Sequence, residues 1–88
     1  MKYNAANLKK LEDILKSLNY TIRSGKGSFN TGYCVLAEKR VIVINNFHSQ
    51  EAKINALAEI MLQVVTDPDT LDTEQRQIYD QCKSIITV

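Results

Sequence analysis

The second helical segment of the chain, residues 50 to 65, carries apolar side chains over a wide arc, which limits the possible architectures. At about 100° per residue, Ile60 and Leu62 flank the main apolar stripe and widen the arc to roughly 200°. One face of a sheet covers less than that. We therefore expect this helix, capped by Ser49, to pack on a sheet and on another helix, either from this chain or from a second copy. The main stripe consists of Ile54, Leu57, Met61, Val64 and Val65.

Two further segments have the periodicity of amphipathic helices. In residues 4 to 18, leucine and isoleucine recur every three or four positions, and Asn4 or Asn7 is suited to cap the first turn. Asn19 is suited to end this helix in a left-handed conformation. The other segment, residues 73 to 86, follows a turn that is rich in aspartate and contains the chain's single proline.

Three short β-rich runs lie between these helices. Residues 20 to 23 alternate apolar and polar side chains, and the runs 33 to 36 and 41 to 44 are joined by a polar connection that suits a hairpin. The run 41 to 44 is apolar on both faces of the pleat, which favours the most covered position in a sheet. The order αβββαα therefore predicts one α+β domain over residues 1 to 88, a small three-stranded antiparallel meander with helices packed on one face.

Size and composition restrict the class of protein. The 88 residues favour a single domain near the lower limit of independent folding, where self-association is a common source of extra stability. No apolar run approaches the ~18 residues of a membrane span. The first ten residues lack the apolar core of a secretory signal, and Cys34 and Cys82 lack paired spacing. We therefore expect a cytoplasmic protein with two reduced cysteines in its core.

The segment RSGKGSFNTGY, residues 23 to 33, holds all three glycines of the chain. Nucleotide-binding glycine loops lead into a helix, whereas a strand is expected after this one, so the sequence argues against a phosphate-cradling loop. Basic and aromatic side chains in and near the segment suit an anionic polymer or a peptide, while the alternative is a solvated reversal between strands. The four cations among the candidates are expected at one end of the sheet, and Tyr20 and Tyr33 flank the loop. The candidate binding residues are Arg23, Lys26, Phe29, Tyr33, Lys39 and Arg40.

The charge of the chain is unevenly distributed. Residues 1 to 40 carry eight lysines and arginines against three acidic residues, whereas residues 41 to 88 carry three against seven. Such polarity favours anionic ligands at the basic end or head-to-tail contact between copies, unless the two halves interleave in the fold and their fields cancel.

The sequence offers no competent catalytic or metal-binding set. His48, the only histidine, has no carboxylate or thiol at a recognisable triad or ligand spacing, and nothing activates Cys34 as a nucleophile. Acidic residues 67, 69 and 72 lack the loop pattern of a calcium site and are typical of turns and helix caps. We therefore predict a protein without catalytic residues, metal or cofactor.

The order of elements and the segment INALAEIMLQV resemble zinc metallopeptidases of the ImmA/IrrE type. In that family a strand ending in an Ile-Asn segment, here Ile44 and Asn45, leads into a helix bearing L-A-H-E-x-x-H, of which Leu57 and Ala58 match the first two positions. The resemblance implies a zincin-like half-fold that has lost catalysis and is kept as a scaffold or binding module. The positions of the zinc ligands and general base in that family are here Glu59, Ile60 and Gln63.

The chain is also similar to short bacterial proteins that share a KGxFxxGxC segment and a VxxIN segment. This similarity implies no particular activity. The matching residues are Lys26, Gly27, Phe29, Gly32, Cys34, Val41, Ile44 and Asn45.

These observations lead to three hypotheses. The first is a non-catalytic protein-interaction module that forms a homo-oligomer, with Ile60 and Leu62 in the self-association surface, or binds another protein. The second is a module that binds nucleic acid or another anion through the glycine-rich segment. The third is an enzyme or metal protein centred on Cys34 and His48 or on the degenerate helix. None of the three involves a membrane.

Overall fold

The computed structural model describes residues 1–28, 32–36 and 39–86, including side chains except those of residues 32–36 and 39. Within these ranges no helix combines the length and apolarity that crossing a membrane requires. The elements are α1 (Ala5–Ser17), β1 (Thr21–Gly25), β2 (Gly32–Leu36), β3 (Lys39–Asn45), α2 (Gln50–Val64), a 3₁₀ turn (Pro68–Thr70) and α3 (Thr73–Ile86).

The three strands form a mixed sheet in the order β1-β3-β2. Strand β1 pairs with β3 in parallel, from Thr21 opposite Val41 to Gly25 opposite Asn45, and β2 pairs with β3 in antiparallel orientation. The predicted antiparallel meander is therefore wrong. The last strand in sequence, β3, therefore lies at the centre of the sheet, between β1 and β2.

Side-chain composition explains this strand order. The apolar run of β3 gains most from a central position, while β1 contains Arg23 and Ser24, both exposed, and lies at an edge. Strands that follow one another in sequence are neighbours in a sheet in only about two-thirds of cases. The prediction was wrong because it assumed that β1 pairs with β2. The prediction that residues 41 to 44 form the most covered strand agrees with the central place of β3.

The core lies between the sheet and the helices. Ile42 and Ile44 of β3 are buried, and α2 packs against both α1 and α3. Ile60 is only 5% exposed, and Leu62 is half-buried against the core cluster. The second covering helix for the wide apolar arc thus comes from the same chain, and the arc gives no reason for self-association through these two residues. The buried helix positions are Leu11, Ile14, Leu15, Ile54, Leu57, Ala58, Ile60, Met61, Ile78, Tyr79 and Cys82.

Local side-chain chemistry fixes the helix ends. The side chain of Asn4 accepts a hydrogen bond of 2.9 Å from the backbone N–H three residues later, and Ser49 and Asp72 do the same at 3.2 and 2.8 Å. Asn19 has φ 71°, the left-handed conformation that ends α1. The predicted caps of α1 and α2 are thereby confirmed.

Candidate functional site

The carboxyl ends of β1 and β3 lie side by side at one end of the sheet because the two strands are parallel. Gly25 ends β1 and leads into Lys26, while Asn45 ends β3 and leads into the turn of residues 46 to 48 before α2. The backbone N–H of Asn46 donates a hydrogen bond of 2.8 Å to the carbonyl oxygen of Gly25. The start of the glycine-rich segment therefore lies beside the turn that begins α2.

Asn45 joins these two segments. Its side chain is 1% exposed, its Nδ2 donates to the carbonyl oxygen of Gly27 at 2.8 Å, and its Oδ1 accepts from the backbone N–H of Phe47 at 3.0 Å. Its own carbonyl oxygen accepts from the N–H of His48 at 3.1 Å. A carboxamide supplies both a donor and an acceptor, which an aspartate or a leucine of similar size does not. These hydrogen bonds hold residues 25 to 27 in a fixed position relative to the turn of residues 46 to 48.

Phe47 projects from this fixed turn and is 68% exposed. The Nζ atom of Lys26 lies 6.0 Å from the centre of its ring, at the outer limit of a cation–π contact. Among the described residues the other large apolar side chain that is exposed is Tyr3, whose hydroxyl donates to Asn55 at 3.1 Å. We refer to the exposed residues Lys26, Asn46 and Phe47 as the Phe47 surface.

The structure separates the basic residues that the sequence suggested as one group. Lys26 belongs to the Phe47 surface and Arg23 is exposed on β1, but the guanidinium of Arg40 lies 5.8 Å from the ring centre of Tyr20 at the amino end of the sheet. The strand register places Arg40 six positions, about 20 Å, from Lys26. The expectation that they share one end is wrong. Phe29 and the side chains of Tyr33 and Lys39 lie outside the described residues.

Sequence reasoning missed Phe47. Phe47 lies in the segment NNFH between β3 and α2, and the sequence pattern assigns it no role. One signal was present, because Phe47 belongs to neither the strand alternation nor the apolar stripe of α2. A large aromatic residue without a place in either pattern indicates an exposed side chain or a turn anchor, and here it is exposed.

Several of the candidate metal-binding and catalytic side chains lie among the described residues. That part of the chain contains no group of three or more histidine, cysteine, aspartate or glutamate side chains that could hold a metal ion. Glu59 and Gln63, at the zinc-ligand positions of the metallopeptidase pattern, are exposed, and Ile60 belongs to the core. Cys82 is fully buried, and this burial raises the pKa of its thiol from 9.0 to about 11, which disfavours the reactive thiolate. The side chain of Cys34 lies outside the described residues.

The acidic residues before α3 are engaged in turn and cap contacts. Asp67 accepts a hydrogen bond of 3.1 Å from the N–H of Asp69, and Asp69 forms an ion pair of 2.9 Å with Arg76. Asp72 caps α3 through its contact with the N–H of Gln75. This agrees with the interpretation of these residues as turn and cap chemistry.

A concave surface lies between α1 and α3, apart from the Phe47 surface, with a volume of about 210 Å³. Its buried floor includes Ile14 and Ile78, and its exposed walls carry both charged and polar side chains. We refer to this as the α1–α3 groove. It is lined by Lys10, Asp13, Ile14, Asp72, Glu74, Gln75 and Ile78.

Comparisons of the chain with protein-family models, with curated proteins and with solved structures found no match. The resemblances to zinc metallopeptidases and to short bacterial proteins therefore stay predictions.

Proposed function

We propose that this chain is a non-catalytic cytoplasmic interaction module that binds a protein partner, including further copies of itself, through the Phe47 surface. The observation that carries the proposal is the 68% exposure of Phe47 on a turn that Asn45 holds in place. Aromatic side chains on rigid supports are frequent energetic centres of protein interfaces, because they bury a large apolar area at a low entropic cost.

The exposed ring of Phe47 leaves apolar surface in contact with water in the free chain. Burying a phenylalanine side chain is worth about 1.5 to 3 kcal/mol relative to leaving it in water, which is a substantial fraction of the stability of a small domain. The buried carboxamide of Asn45 further restricts the turn that presents the ring. Both features favour a side chain that is kept for contact with another molecule.

The test compares two exposed aromatic residues on the same chain. We expect immobilised Phe47→Ala to lose at least roughly tenfold in capture of partners from lysate, since hot-spot truncations commonly exceed 1.4 kcal/mol. Tyr3→Ala, the matched control at 41% exposure, should capture the same partners as the unaltered chain. Equal thermal unfolding of both variants establishes that the fold is kept. Undiminished capture by Phe47→Ala would contradict the proposal.

A second candidate function is binding of single-stranded nucleic acid at the same surface. It is favoured by the position of Lys26 over the Phe47 ring and by exposed Arg23 on the adjacent strand. Bases stack on aromatic rings while lysine and arginine contact phosphates. Fluorescence anisotropy with labelled mixed-sequence RNA and DNA should then show binding at roughly 50 mM salt that weakens steeply by roughly 200 mM.

The nucleic-acid experiment has its own control. Lys26→Gln should reduce that binding, whereas Lys9→Gln should not, because Lys9 lies on α1 in an ion pair with Asp13. Absence of binding to either pool at the lower salt concentration would remove this candidate.

A further inference from the structure

The α1–α3 groove has the size and polarity to accept an aromatic side chain. Ile14 and Ile78, 7% and 6% exposed, belong to its lining, and its volume is about 210 Å³. A cavity of roughly 150 Å³ with an apolar lining is large enough to bind benzene, so the groove has room for one phenyl ring.

The rim of the groove is mainly acidic. Exposed Asp13, Asp72 and Glu74 line it together with a single cation, Lys10. Asp13 is ion-paired with Lys9 at 3.3 Å and Asp72 caps α3, so the rim charge available to a ligand comes mainly from Glu74. A carboxylate in this position favours a ligand that combines an apolar group with a positive charge.

The Phe47 surface of the same chain has this combination. Its phenyl ring is exposed, and the ammonium group of Lys26 lies 6.0 Å from the ring centre. The ring and this ammonium group thus complement the apolar floor and acidic rim of the groove.

The two surfaces lie at opposite ends of one molecule. Helix α1 ends at Ser17, close to the amino end of β1, and the Nε2 atom of Gln75 donates to the hydroxyl of Ser17 at 3.2 Å. The beginning of α3 is therefore near the amino end of the sheet. Phe47 follows the carboxyl end of β3, about 20 Å away along the strands. The phenyl ring and the groove can meet only between two molecules.

We propose that Phe47 of one molecule inserts into the α1–α3 groove of a second copy, with Lys26 beside Glu74 and Asp72. This inference rests on the proposed function and names the partner as the chain itself. The contact is heterologous, since each molecule presents a Phe47 surface at one end and offers a groove at the other. Repetition of such a contact extends the assembly beyond a dimer unless a ring closes.

Two variants separate the halves of the contact. Phe47→Ala removes the inserted ring and leaves the groove intact, whereas the double variant Asp13→Lys and Glu74→Lys reverses the rim and leaves Phe47 intact. The double variant avoids Asp72, because that carboxylate caps α3 and its loss would also weaken the helix. Tyr3→Ala serves as the control with an unrelated aromatic residue removed.

Sedimentation equilibrium from roughly 10 µM to 1 mM covers dissociation constants as weak as the millimolar range. The weight-average mass of the unaltered chain and of Tyr3→Ala should rise at least roughly 1.5-fold above 10.0 kDa, while each groove or ring variant alone stays monomeric. An equimolar mixture of the two deficient variants should form dimers and nothing larger, because only one intact ring and one intact groove meet.

Three results would overturn the inference. These are an unaltered chain that is monomeric throughout the range, association that survives in both deficient variants, and a mixture of the two variants that stays monomeric. In each case the lysate comparison of Phe47→Ala with Tyr3→Ala still decides the proposed function independently, because it does not involve the groove.

Discussion

At the residue scale, Asn45 determines how the candidate surface is presented. One carboxamide contacts the backbone of Gly27 on one side and of Phe47 on the other, and it is buried. Because the chain has only 88 residues, each such hydrogen bond contributes a large fraction of the free energy of unfolding. The sequence placed Asn45 at the end of β3, but its contact with Gly27 depends on the parallel pairing of β1 with β3, which no local pattern encodes.

Replacing Asn45 by alanine should lower the free energy of unfolding by about 2 kcal/mol, because it leaves the Gly27 carbonyl and the Phe47 N–H without this partner. Urea denaturation measures the loss. Asn46→Ala is the matched control, since Asn46 is exposed and bonds Gly25 through its backbone, and its effect should stay within about 0.5 kcal/mol.

Hydrogen exchange adds an internal control to the Asn45 experiment. The Phe47 amide should exchange faster in Asn45→Ala, whereas the His48 amide keeps its bond to the backbone carbonyl of residue 45. Equal acceleration of both amides would indicate general loosening and contradict a specific positioning role for Asn45.

Cys82 makes stability depend on pH in the alkaline range. Burial raises the pKa of its thiol from 9.0 to about 11 in the folded chain, so between these values the unfolded chain loses a proton that the folded chain keeps. Stability should therefore fall as pH rises from about 9 to about 11, by up to about 3 kcal/mol.

The measurement for Cys82 is urea unfolding at several pH values in the unaltered chain and in Cys82→Ala. Other groups titrate equally in both proteins. The difference between their plots of unfolding free energy against pH is therefore due to this thiol. Parallel pH profiles for the two proteins would show that the folded thiol ionises as readily as the unfolded one and would contradict the prediction.

At the scale of elements, the end of α1 is determined by the conformation and hydrogen bonds of a few consecutive residues. Asn19 has φ 71°, its N–H donates to the Lys16 carbonyl at 3.0 Å, and the N–H of Tyr20 donates to the Leu15 carbonyl at 3.1 Å. These two bonds are those of a Schellman motif, which ends the helix and turns the chain into β1.

Asn19→Ala should cost about 1 kcal/mol of stability, because a side chain with a Cβ atom and no local hydrogen bonding is disfavoured in the left-handed region. Asn19→Gly should be at least as stable as the unaltered chain, since glycine adopts positive φ without a steric penalty. The midpoints of urea unfolding measure both variants. Equal stability of the alanine and glycine variants would show that the left-handed conformation of residue 19 does not cause the loss of stability.

The helices and their ends could be predicted from sequence because their causes lie within a few residues. Apolar spacing placed α1, α2 and α3, and asparagine and serine at the predicted positions cap the first two. The strand order could not be predicted in the same way, because the parallel pairing of β1 with β3 depends on contacts about 20 positions apart in sequence. Period and propensity determine that a strand forms, but not which strand lies beside it.

At the scale of the whole molecule, the candidate site depends on which residues the topology brings to each end. Sequence reasoning grouped Lys26 and Arg23 with Arg40, whereas the parallel register places Arg40 at the opposite end from Lys26 and Arg23 about midway between them. It assigned Ile60 and Leu62 to self-association because the apolar arc of α2 was wide, whereas α1 and α3 of the same chain pack on α2. The exposed aromatic residue instead lies in a turn, where periodicity carries no information.

The proposed contact between copies joins a basic surface to an acidic rim, so association should weaken with salt. The screening length falls from about 10 Å at 0.1 M to about 3 Å at 1 M ionic strength. The apparent dissociation constant should rise about fivefold over that range, the equivalent of about 1 kcal/mol for exposed ion pairs. Sedimentation equilibrium in sodium chloride measures the change.

Charge reversal distinguishes this arrangement from simple apolar association. Lys26→Glu should weaken association about fivefold at low salt, and so should Glu74→Lys, because each places like charges together. The chain that carries both changes should regain association, since every contact then again joins opposite charges. An apolar contact without ionic complementarity would instead be insensitive to these exchanges and would strengthen in sulfate, which favours burial of apolar surface. Recovery in the doubly reversed chain is therefore the result that links Lys26 of one molecule to Glu74 of the next.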